Sequence, residues 1–395
     1  MPSAPASVQN AFDFLTLLAR PQVAAERAEM LLRGGLDFAE VMRLAEHHTV
    51  RPQLIDGLAR LAWRGVPDEL HEALDDYRHA HVARALLFTE EIRRLARLFE
   101  GEGIRYAVFK GVVLARQLYG DPAAREYSDI DVIVPAARMA DAERALAALG
   151  YRAVQGEPAF RHMFLSSLRQ YSLVRDDGLV AVDLHWEFSG AHVPFPLSAA
   201  EIWPKVEALS IGGQAVRTLA GGDLALLLAG HGTKERWRCL EWINDFAHLI
   251  ARHPELDWSC VHARARAAGC GGSVTLGAAL AERVLDLELP GDLARLVQAD
   301  RRAQTRAEAL LAGLRAGPPP GDAALPNFSD IGLCDRPFDK AKAVLQLAFT
   351  PTVSDHGALP LPRPLWPLYY VTRPVRLAAK AGRSHLRWRA FPPRS

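Results

Sequence analysis

Two aspartates and a Lys-Gly pair are the residues in this sequence whose types and spacing first point to chemistry. Asp129 and Asp131 flank one isoleucine in DIDVIVP, a predicted short strand that ends at Pro135. Alternate residues of a strand leave the same face, so both carboxylates point the same way. Such carboxylates repel each other unless a cation compensates, and a divalent metal does this well because it prefers oxygen ligands. Because D-x-D also occurs in ordinary surface strands, the pair alone leaves a metal site and a plain strand edge both open.

A third carboxylate, Asp183, lies in the second arm of a predicted β-hairpin. RQYSLVR and LVAVDLHWEF flank the Asp-Asp-Gly turn at 176–178. Residues alternate cleanly in the second arm, with apolar side chains on one face and Asp183, His185 and Glu187 on the other. If this arm lies beside the Asp129–Asp131 strand, three carboxylates converge and can hold two Mg²⁺ ions. A solvated polar face opposite a core face explains the same pattern equally well.

Lys110 and Gly111 lie between a predicted strand, IRYAVF, and a predicted helix, VVLARQLYG. A glycine there lets phosphate oxygens approach the backbone, and the helix N-terminus favours an anion. Lys110 can add a point charge on the same anion. The alternative is a glycine that only makes the turn.

The surrounding elements predict an α+β fold. Residues 8–100 have helical spacing, with a predicted apolar stripe of Leu86, Ile92, Leu95 and Leu98, and helices return after Pro204. We expect a small mixed β-sheet with helices on one side, flanked by N-terminal and C-terminal helical regions. The predicted units are an N-terminal helical region at 1–100, the sheet core at 101–195, a C-terminal helical domain at 196–314, and a Pro/Gly-rich linker with a basic aromatic tail at 315–395.

Composition and charge are those of a globular protein. The chain has 395 residues, a formal net charge of +1 and four cysteines, which lack the spacing of a zinc site or a disulfide framework. The average surface therefore gives no electrostatic case for nucleic acid. The N-terminus has no secretory signal pattern, and no apolar run is long enough to span a membrane. These features predict a soluble, cytoplasmic, multidomain protein.

The tail from Leu361 carries eight Lys or Arg residues, no acid, and interleaved aromatics. Three interpretations remain open for it. It binds an anionic acceptor or nucleic acid, lies on a membrane surface, or packs its aromatics while its arginines stay solvated.

Three motifs together resemble the DNA polymerase beta-type nucleotidyltransferase superfamily, and more narrowly its bacterial branch of large, largely uncharacterised proteins. The motifs are F-K-G at 109–111, the run from Arg125 through Asp131, and V-D-L-H-W at 182–186. The resemblance extends to H-x-x-K-x-x-W-x-x-L-x-W-I-x-D at 231–245 and to L-Y-Y-x-x-R-P-x-R-L from Leu368.

The resemblance implies a role for each matching position. Asp129 and Asp131 match the paired metal-binding aspartates, and Asp183 matches the third carboxylate near the acceptor hydroxyl. Gly111 takes the place of the phosphate-contacting glycine. Val112 follows where the superfamily has a second glycine or a serine, so the hydroxyl contact to phosphate is absent, and Lys110 is the expected substitute.

The remaining candidates are nucleotide-binding residues. Arg125 and Ser128 belong to the resembling run. His231 and Lys234 are three apart and would share one helix face, although a surface pair explains them as well.

The expected activity is transfer of a nucleoside monophosphate from an NTP, such as ATP, to an acceptor, with two Mg²⁺ (or Mn²⁺) ions and release of pyrophosphate. The acceptor is a small molecule, peptide, protein or RNA. Two alternatives remain: a non-catalytic nucleotide-binding or partner-binding module that retains the fold, and a toxin-like enzyme that modifies tRNA or protein. The base, the acceptor and the oligomeric state cannot be read from the sequence.

Overall fold

The computed structural model describes residues 6–191, 194–316 and 335–390, and in the last range it describes side chains as far as Ala379. Five helices form the N-terminal region. The first four helices are short, and α5 is 34 residues long. Their bounds are α1 Ala6–Ala19, α2 Ala25–Arg33, α3 Phe38–His47, α4 Arg51–Arg60 and α5 Asp68–Gly101.

The C-terminal half of α5 covers one face of the sheet. Its buried stripe is Phe88, Ile92, Leu95 and Phe99, at spacings of four, three and four residues. The predicted stripe was right at Ile92 and Leu95 but wrong at Leu86, whose side chain is 67% exposed. Leu86 precedes Ile92 by six residues, about 1.7 helical turns, which places it on another side of the helix.

A five-stranded mixed sheet follows, in the order β1-β2-β5-β4-β3. Its central pair, β2 and β5, is parallel, and the other neighbours are antiparallel. The predicted hairpin is confirmed as β4 and β5. The strand bounds are β1 Ala107–Val108, β2 Asp129–Ile133, β3 Tyr151–Ala153, β4 Gln170–Arg175 and β5 Ala181–His185.

Three helices connect these strands. The helix predicted after Lys110-Gly111 is confirmed as α6 (Gly111–Tyr119), which links β1 to β2. A 3₁₀ turn at Ala136–Arg138 leads into α7 (Met139–Ala148), and α8 (Pro158–Phe164) precedes β4.

A second hairpin, β6 (Glu207–Ile211) and β7 (Gln214–Thr218), lies in the region predicted to be entirely helical. Its turn is Gly212-Gly213, and both glycines have positive φ. Gly-Gly between short apolar runs is a hairpin signal that the prediction missed. The hairpin packs Ile211 and Val216 into the core beneath α5.

The rest of the described chain is helical. Residues 317–334, which contain most of the predicted linker, lie outside the described residues. The helices are α9 Ala199–Ile202, α10 Gly221–Lys234, α11 Leu240–Arg252, α12 Trp258–Ala267, α13 Gly271–Leu285, α14 Gly291–Ala299, α15 Arg301–Ala316, α16 Pro337–Phe349, α17 Val353–Ala358 and α18 Tyr369–Ala390.

Two hydrophobic cores meet at the sheet. One runs from Ala11 to Leu314 and includes Phe109 and Ile133 of the core region, so it joins both helical regions to the sheet. The other packs Val132 and Leu184, with their neighbours, beneath α5 and α7. The α+β class is therefore confirmed, whereas the domain boundaries stay a prediction. Within the described ranges, no helix is both long and apolar enough to cross a bilayer.

Candidate active site

Asp131 and Asp183 occupy partner positions on the two parallel strands β2 and β5. Val132 and Leu184 alternate with them and are fully buried in the core on the other face. The expectation that the hairpin arm lies beside the Asp129–Asp131 strand is therefore confirmed. Both carboxylates face a pocket at the edge of the sheet core.

Asp131 is buried and holds two contacts on one oxygen. Lys110 Nζ lies 3.1 Å from Asp131 Oδ1, and His185 Nε2 lies 3.0 Å from the same atom. Burial by itself would raise the pKa of Asp131, but Lys110 and His185 outweigh burial and lower it. Asp131 is therefore held as a carboxylate.

Asp183 is oriented by neutral donors. Ser172 Oγ donates to Asp183 Oδ1 at 2.6 Å, and Gln170 Nε2 donates to Oδ2 at 2.9 Å. Ser172 lies directly across the β4–β5 pair from Asp183, so the hairpin register sets this contact. Hydrogen bonds of this kind fix the direction in which a ligating carboxylate points.

Asp129 lines the same pocket, and among the described residues no hydrogen-bond donor contacts its carboxylate. Burial, followed by the charges of Asp131 and Asp183, raises its pKa to about 6. The carboxylate cluster therefore has an excess of negative charge that Lys110 offsets only in part.

The pocket has a volume of about 180 Å³. Helix α10 supplies one wall, with His231 and Lys234 side by side as the sequence predicted. Burial lowers the pKa of His231 well below its usual value, and Lys110 and Lys234 lower it further. Burial, with Lys110, also lowers the pKa of Lys234. The remaining lining residues are Glu235, Gln170 and an apolar wall of Phe109, Phe188, Phe195 and Leu227.

The donor set fits a divalent cation. One ligand atom each from Asp131, Asp183 and His185 lies within 4.8 Å of the others. Carboxylate oxygens are the preferred ligands of Mg²⁺ and Mn²⁺, and an imidazole nitrogen adds affinity for transition metals. The raised pKa of Asp129 agrees with this fit, because a bound cation would favour its ionised form.

Gly111 begins α6 with a φ of +56°, a conformation that favours glycine. A Cβ atom there would lie 3.3 Å from the carbonyl oxygen of Asp129, so the turn packs tightly on the carboxylate strand. The next side chain, Val112, is fully buried in the core. Val112, which offers no hydroxyl group to a phosphate, is thus part of the core packing.

Arg125 and Ser128 do not line the pocket. Ser128 is exposed. Arg125 is buried, with Nε 2.9 Å from Asp245 Oδ2 and Nη2 3.3 Å from Glu241 Oε2. Burial alone would lower the pKa of Arg125, but the negative charges of Asp245 and Glu241 outweigh burial and raise that pKa. Nucleotide binding by Arg125 and Ser128 stays a prediction, and this geometry does not favour it.

The loop at 121–128, which leads into β2, is held from three helices. From α4, Arg51 pairs with Glu126 at 2.5 Å, and Gln53 donates to the carbonyl of Ala124 at 2.8 Å. From α5, His81 Nε2 contacts the carbonyl oxygens of Ala123 and Arg125. From α11, Asp245 binds Arg125. The helical regions therefore fix the start of the strand that carries Asp129 and Asp131.

Several pocket residues were missed by the sequence reasoning. His185 was assigned to an ordinary polar strand face, although it shares that face with Asp183. Ser172 and Gln170 could have been found by counting outward from the 176–178 turn, because the register pairs Ser172 with Asp183. For the aromatic wall, no local signal was available, since Phe109, Phe188 and Phe195 meet only in the folded chain.

Comparison with known proteins places the chain in a family. The profile described as "Uncharacterised nucleotidyltransferase" matches residues 34–286, more than half of the sequence. The protein therefore belongs to this nucleotidyltransferase family.

Among solved structures, the chain is similar to one described as an antigenic nucleotidyltransferase-like protein from Paracoccidioides brasiliensis. The identity is 16%, and the match covers 56% of this chain and 92% of the other. The TM-score of 0.28 is too low to support an argument on fold or site. No curated protein matches the chain.

Proposed function

We propose that the protein transfers a nucleoside monophosphate from an NTP to an acceptor hydroxyl or similar nucleophile. The acceptor oxygen forms a bond to the α-phosphorus, the bond to the bridging oxygen breaks, and pyrophosphate leaves while the acceptor loses its proton. The observation that supports this most is the in-register pair of Asp131 and Asp183 on adjacent strands, facing a pocket with Lys110.

Asp131 and Asp183, with His185 or Asp129 as a further ligand, are the residues that would hold divalent metal. When bound there, two Mg²⁺ or Mn²⁺ ions supply Lewis-acid stabilisation to the attacking and leaving oxygens. The residues of this chain orient that site: Ser172 and Gln170 hold Asp183, and Lys110 holds Asp131. His185 also holds Asp131 when it is not itself a ligand. In this reading, Asp183 lies beside the acceptor.

The cationic side of the pocket suits the triphosphate. Lys110 precedes the N-terminus of α6, and Lys234 projects from α10 on the opposite wall. A lysine beside a helix N-terminus binds phosphate through charge and backbone dipole together. We therefore assign Lys110 to the phosphates, with Lys234 and His231 as further contacts. Gly111 is buried and does not line the pocket, so its proposed part is to begin α6 and so set the direction of the helix N-terminus.

The cavity volume of about 180 Å³ lies below the roughly 300–1,000 Å³ that is usual for ligand sites. The phosphates therefore occupy the enclosed part, and the base and ribose extend beyond it. This arrangement gives the pocket little means of selecting the base.

The test is thermal unfolding of the protein with each NTP, with and without Mg²⁺ or Mn²⁺. A ligand that binds only the folded state raises the unfolding temperature. We expect a rise that requires both nucleotide and metal, and that is lost when Asp131 and Asp183 are both replaced by Asn. Labelling of total cell lysate with α-labelled NTPs then identifies the acceptor class.

A non-catalytic nucleotide-binding module gives a different result. It would bind NTP without metal and without the carboxylates, and it would label no lysate fraction. A toxin-like enzyme would label tRNA or protein. Absence of labelling with all four NTPs, in the presence of either metal, would contradict the transferase.

A further inference from the structure

The C-terminal segment exposes an unusual amount of apolar surface. In the described part of the chain, eleven of the seventeen large hydrophobic side chains that are exposed lie between Phe338 and Val375. Exposed apolar patches of this kind mark binding surfaces for proteins or membranes. We define the C-terminal apolar face by six of these side chains on α16 and α18: Phe338, Leu345, Phe349, Tyr370, Val371 and Val375.

Helical spacing groups most of these side chains on one side of their own helix. On α16, Phe338, Leu345 and Phe349 follow at intervals of seven and four residues, which is one side of a helix. On α18, Val371 and Val375 are four apart, and each is 67% exposed. The two helices pack against each other.

On α18, two arginines bind Asp355 of α17, whereas Val371 and Val375 of the same helix are exposed. Arg373 is buried, and its Nη1 lies 2.6 Å from Asp355 Oδ2. Arg376 Nε donates to Asp355 Oδ1 at 2.8 Å. The capping box of Thr352 and Asp355 fixes Asp355 in place. The arginines thus anchor the helix with its apolar side turned outward.

The same segment is strongly basic. Residues 335–395 contain eleven Lys or Arg and three acids, whereas the whole chain has a net charge of +1. No acid follows Asp355. The charge balance of the protein is therefore uneven, with the excess of cations in the segment that carries the apolar face.

The exposed apolar side chains and the basic charge of the segment together indicate which kind of partner binds the C-terminal apolar face. A nucleic acid could pair with the cations of this segment, but it would leave the exposed aliphatic side chains without partners. An anionic bilayer surface supplies hydrocarbon for the apolar side chains and negative headgroups for the cations of the same segment that do not pair with Asp355, such as Lys340 and Lys342 on α16.

We propose that the C-terminal apolar face docks the protein on an anionic lipid surface. α16 and α18 lie along the membrane interface, with Val371, Val375, Leu345 and Phe349 inserted between headgroups. The carboxylate pocket belongs to a different part of the fold and takes no part in this attachment.

The experiment is co-sedimentation of the full chain with vesicles of phosphatidylcholine alone, or of phosphatidylcholine mixed with phosphatidylglycerol. We expect binding to the mixed vesicles that weakens as salt increases, and little binding to phosphatidylcholine. The double variant Val371→Asp, Val375→Asp should bind at least roughly tenfold more weakly, since two apolar insertions are lost. Leu86→Asp on α5 is the matched control, because Leu86 has the same 67% exposure, and it should bind like the unaltered protein.

A second double variant, Leu345→Asp with Phe349→Asp, tests α16 independently. Circular dichroism and thermal unfolding verify that each variant is folded. Absence of binding to the mixed vesicles, or equal binding by both double variants and the control, overturns the proposal. Light scattering measures the oligomeric state of the same proteins. If the unaltered protein is a dimer that does not bind vesicles, and the double variants are monomers, the face is a contact between two copies of the chain.

Discussion

The carboxylates of Asp131 and Asp183 lie at paired positions of neighbouring parallel strands, yet they are held by opposite kinds of partner. Lys110 and His185 both contact one carboxylate oxygen of Asp131. Asp183 instead accepts hydrogen bonds from the neutral donors Ser172 and Gln170. One carboxylate is thus partly neutralised within the chain, and the other keeps its full charge for a ligand. The two positions should therefore respond differently to substitution.

Asp183→Asn should abolish metal-dependent stabilisation by NTP and reduce any transfer by a factor on the order of 10²–10³. The asparagine carbonyl can still accept from Gln170 Nε2, and its amide can donate to the Ser172 hydroxyl, which then acts as acceptor, so the fold should be little affected. The measurement is thermal shift with NTP and Mg²⁺, followed by labelling of the acceptor. Asp76→Asn, at an exposed site on α5, serves as the control; equal loss in both variants would point to a non-specific charge effect.

Lys110→Met should have two opposite effects. Lys110 lies 3.1 Å from Asp131 and competes with a metal for that carboxylate, so affinity for Mn²⁺ alone should rise by roughly tenfold, or about 1.4 kcal/mol. Affinity for the metal–NTP complex should fall, because the phosphates lose a cation. Calorimetric titration with Mn²⁺, and then with Mn²⁺ and NTP, separates the two.

Lys205→Met is the matched control for that variant. Lys205 also faces an aspartate, Asp223 at 3.7 Å, but it is more exposed and does not line the pocket. Neither affinity should change. A parallel decrease of both affinities in Lys110→Met would contradict competition between the lysine and the metal.

Arg125→Met should destabilise the fold by roughly 3–5 kcal/mol, because it leaves Asp245 buried without its cation. Burial raises the pKa of Glu241 to about 8 even with Arg125 beside it, so Asp245 is the main ionic partner. Urea unfolding measures the loss. Arg152→Met removes an exposed pair with Asp176 and should cost less than about 1 kcal/mol.

If Arg125 instead bound nucleotide, its substitution would weaken NTP affinity in the protein that remains folded. We expect that affinity to be unchanged within the folded fraction.

In metal-free protein, the contribution of Asp129 to the free energy of unfolding should fall as pH rises from about 4 to about 6. The pKa of Asp129 is raised from 3.8 to about 6 in the folded state, so the folded state binds this proton more tightly than the unfolded chain does. Stability from the protonated form is present at low pH and is lost as pH rises through that window, by roughly 1–3 kcal/mol. His48 and His248 oppose this change, because burial lowers their pKa values to about 3 and about 4, so their contribution to stability grows as pH rises through the same window. The unfolding free energy of Asp129→Asn should therefore rise more steeply with pH across this window than that of the unaltered protein. A curve of equal slope in the variant would assign the effect to another group.

Gly111→Ala should destabilise the protein more than Gly103→Ala does. Both glycines have φ near +60°, a region in which a Cβ atom is strained, so both variants should be destabilised by a similar backbone strain of roughly 1–2 kcal/mol. Only at position 111 would the new Cβ meet the carbonyl oxygen of Asp129, at 3.3 Å; at position 103 nothing lies within 4 Å. Urea unfolding gives the difference, and equal losses would show that the turn does not press on the carboxylate strand.

The sequence predicted those parts of the site that depend on local periodicity. Alternation placed Asp129 and Asp131 on one face, the 176–178 turn predicted the β4–β5 hairpin, and the spacing of His231 and Lys234 placed them together. All of these are short-range relationships. They survive in the folded chain because each is set within one strand, one turn or one helix.

The role of Arg125 could not be predicted in the same way. It lies four residues before Asp129, which suggests membership of the site, but its partner Asp245 is 120 residues away along the chain. Arg125 points toward α11, where Glu241 and Asp245 bind its guanidinium group, a direction that no local pattern indicates. His185 belongs to the site although nothing in the sequence singled it out. Its contact with Asp131 depends on the pairing of β2 with β5, which no local pattern specifies.

The loop at 121–128 has a consequence for where inactivating substitutions will arise. It is tied to α4 by Gln53, to α5 by His81 and to α11 through Asp245. Random mutagenesis scored by activity should therefore recover changes at these three positions, although none of them touches the pocket. Such variants would keep every carboxylate and lysine of the site, and they would fail because the first residues of β2 are no longer held at a fixed distance from β5.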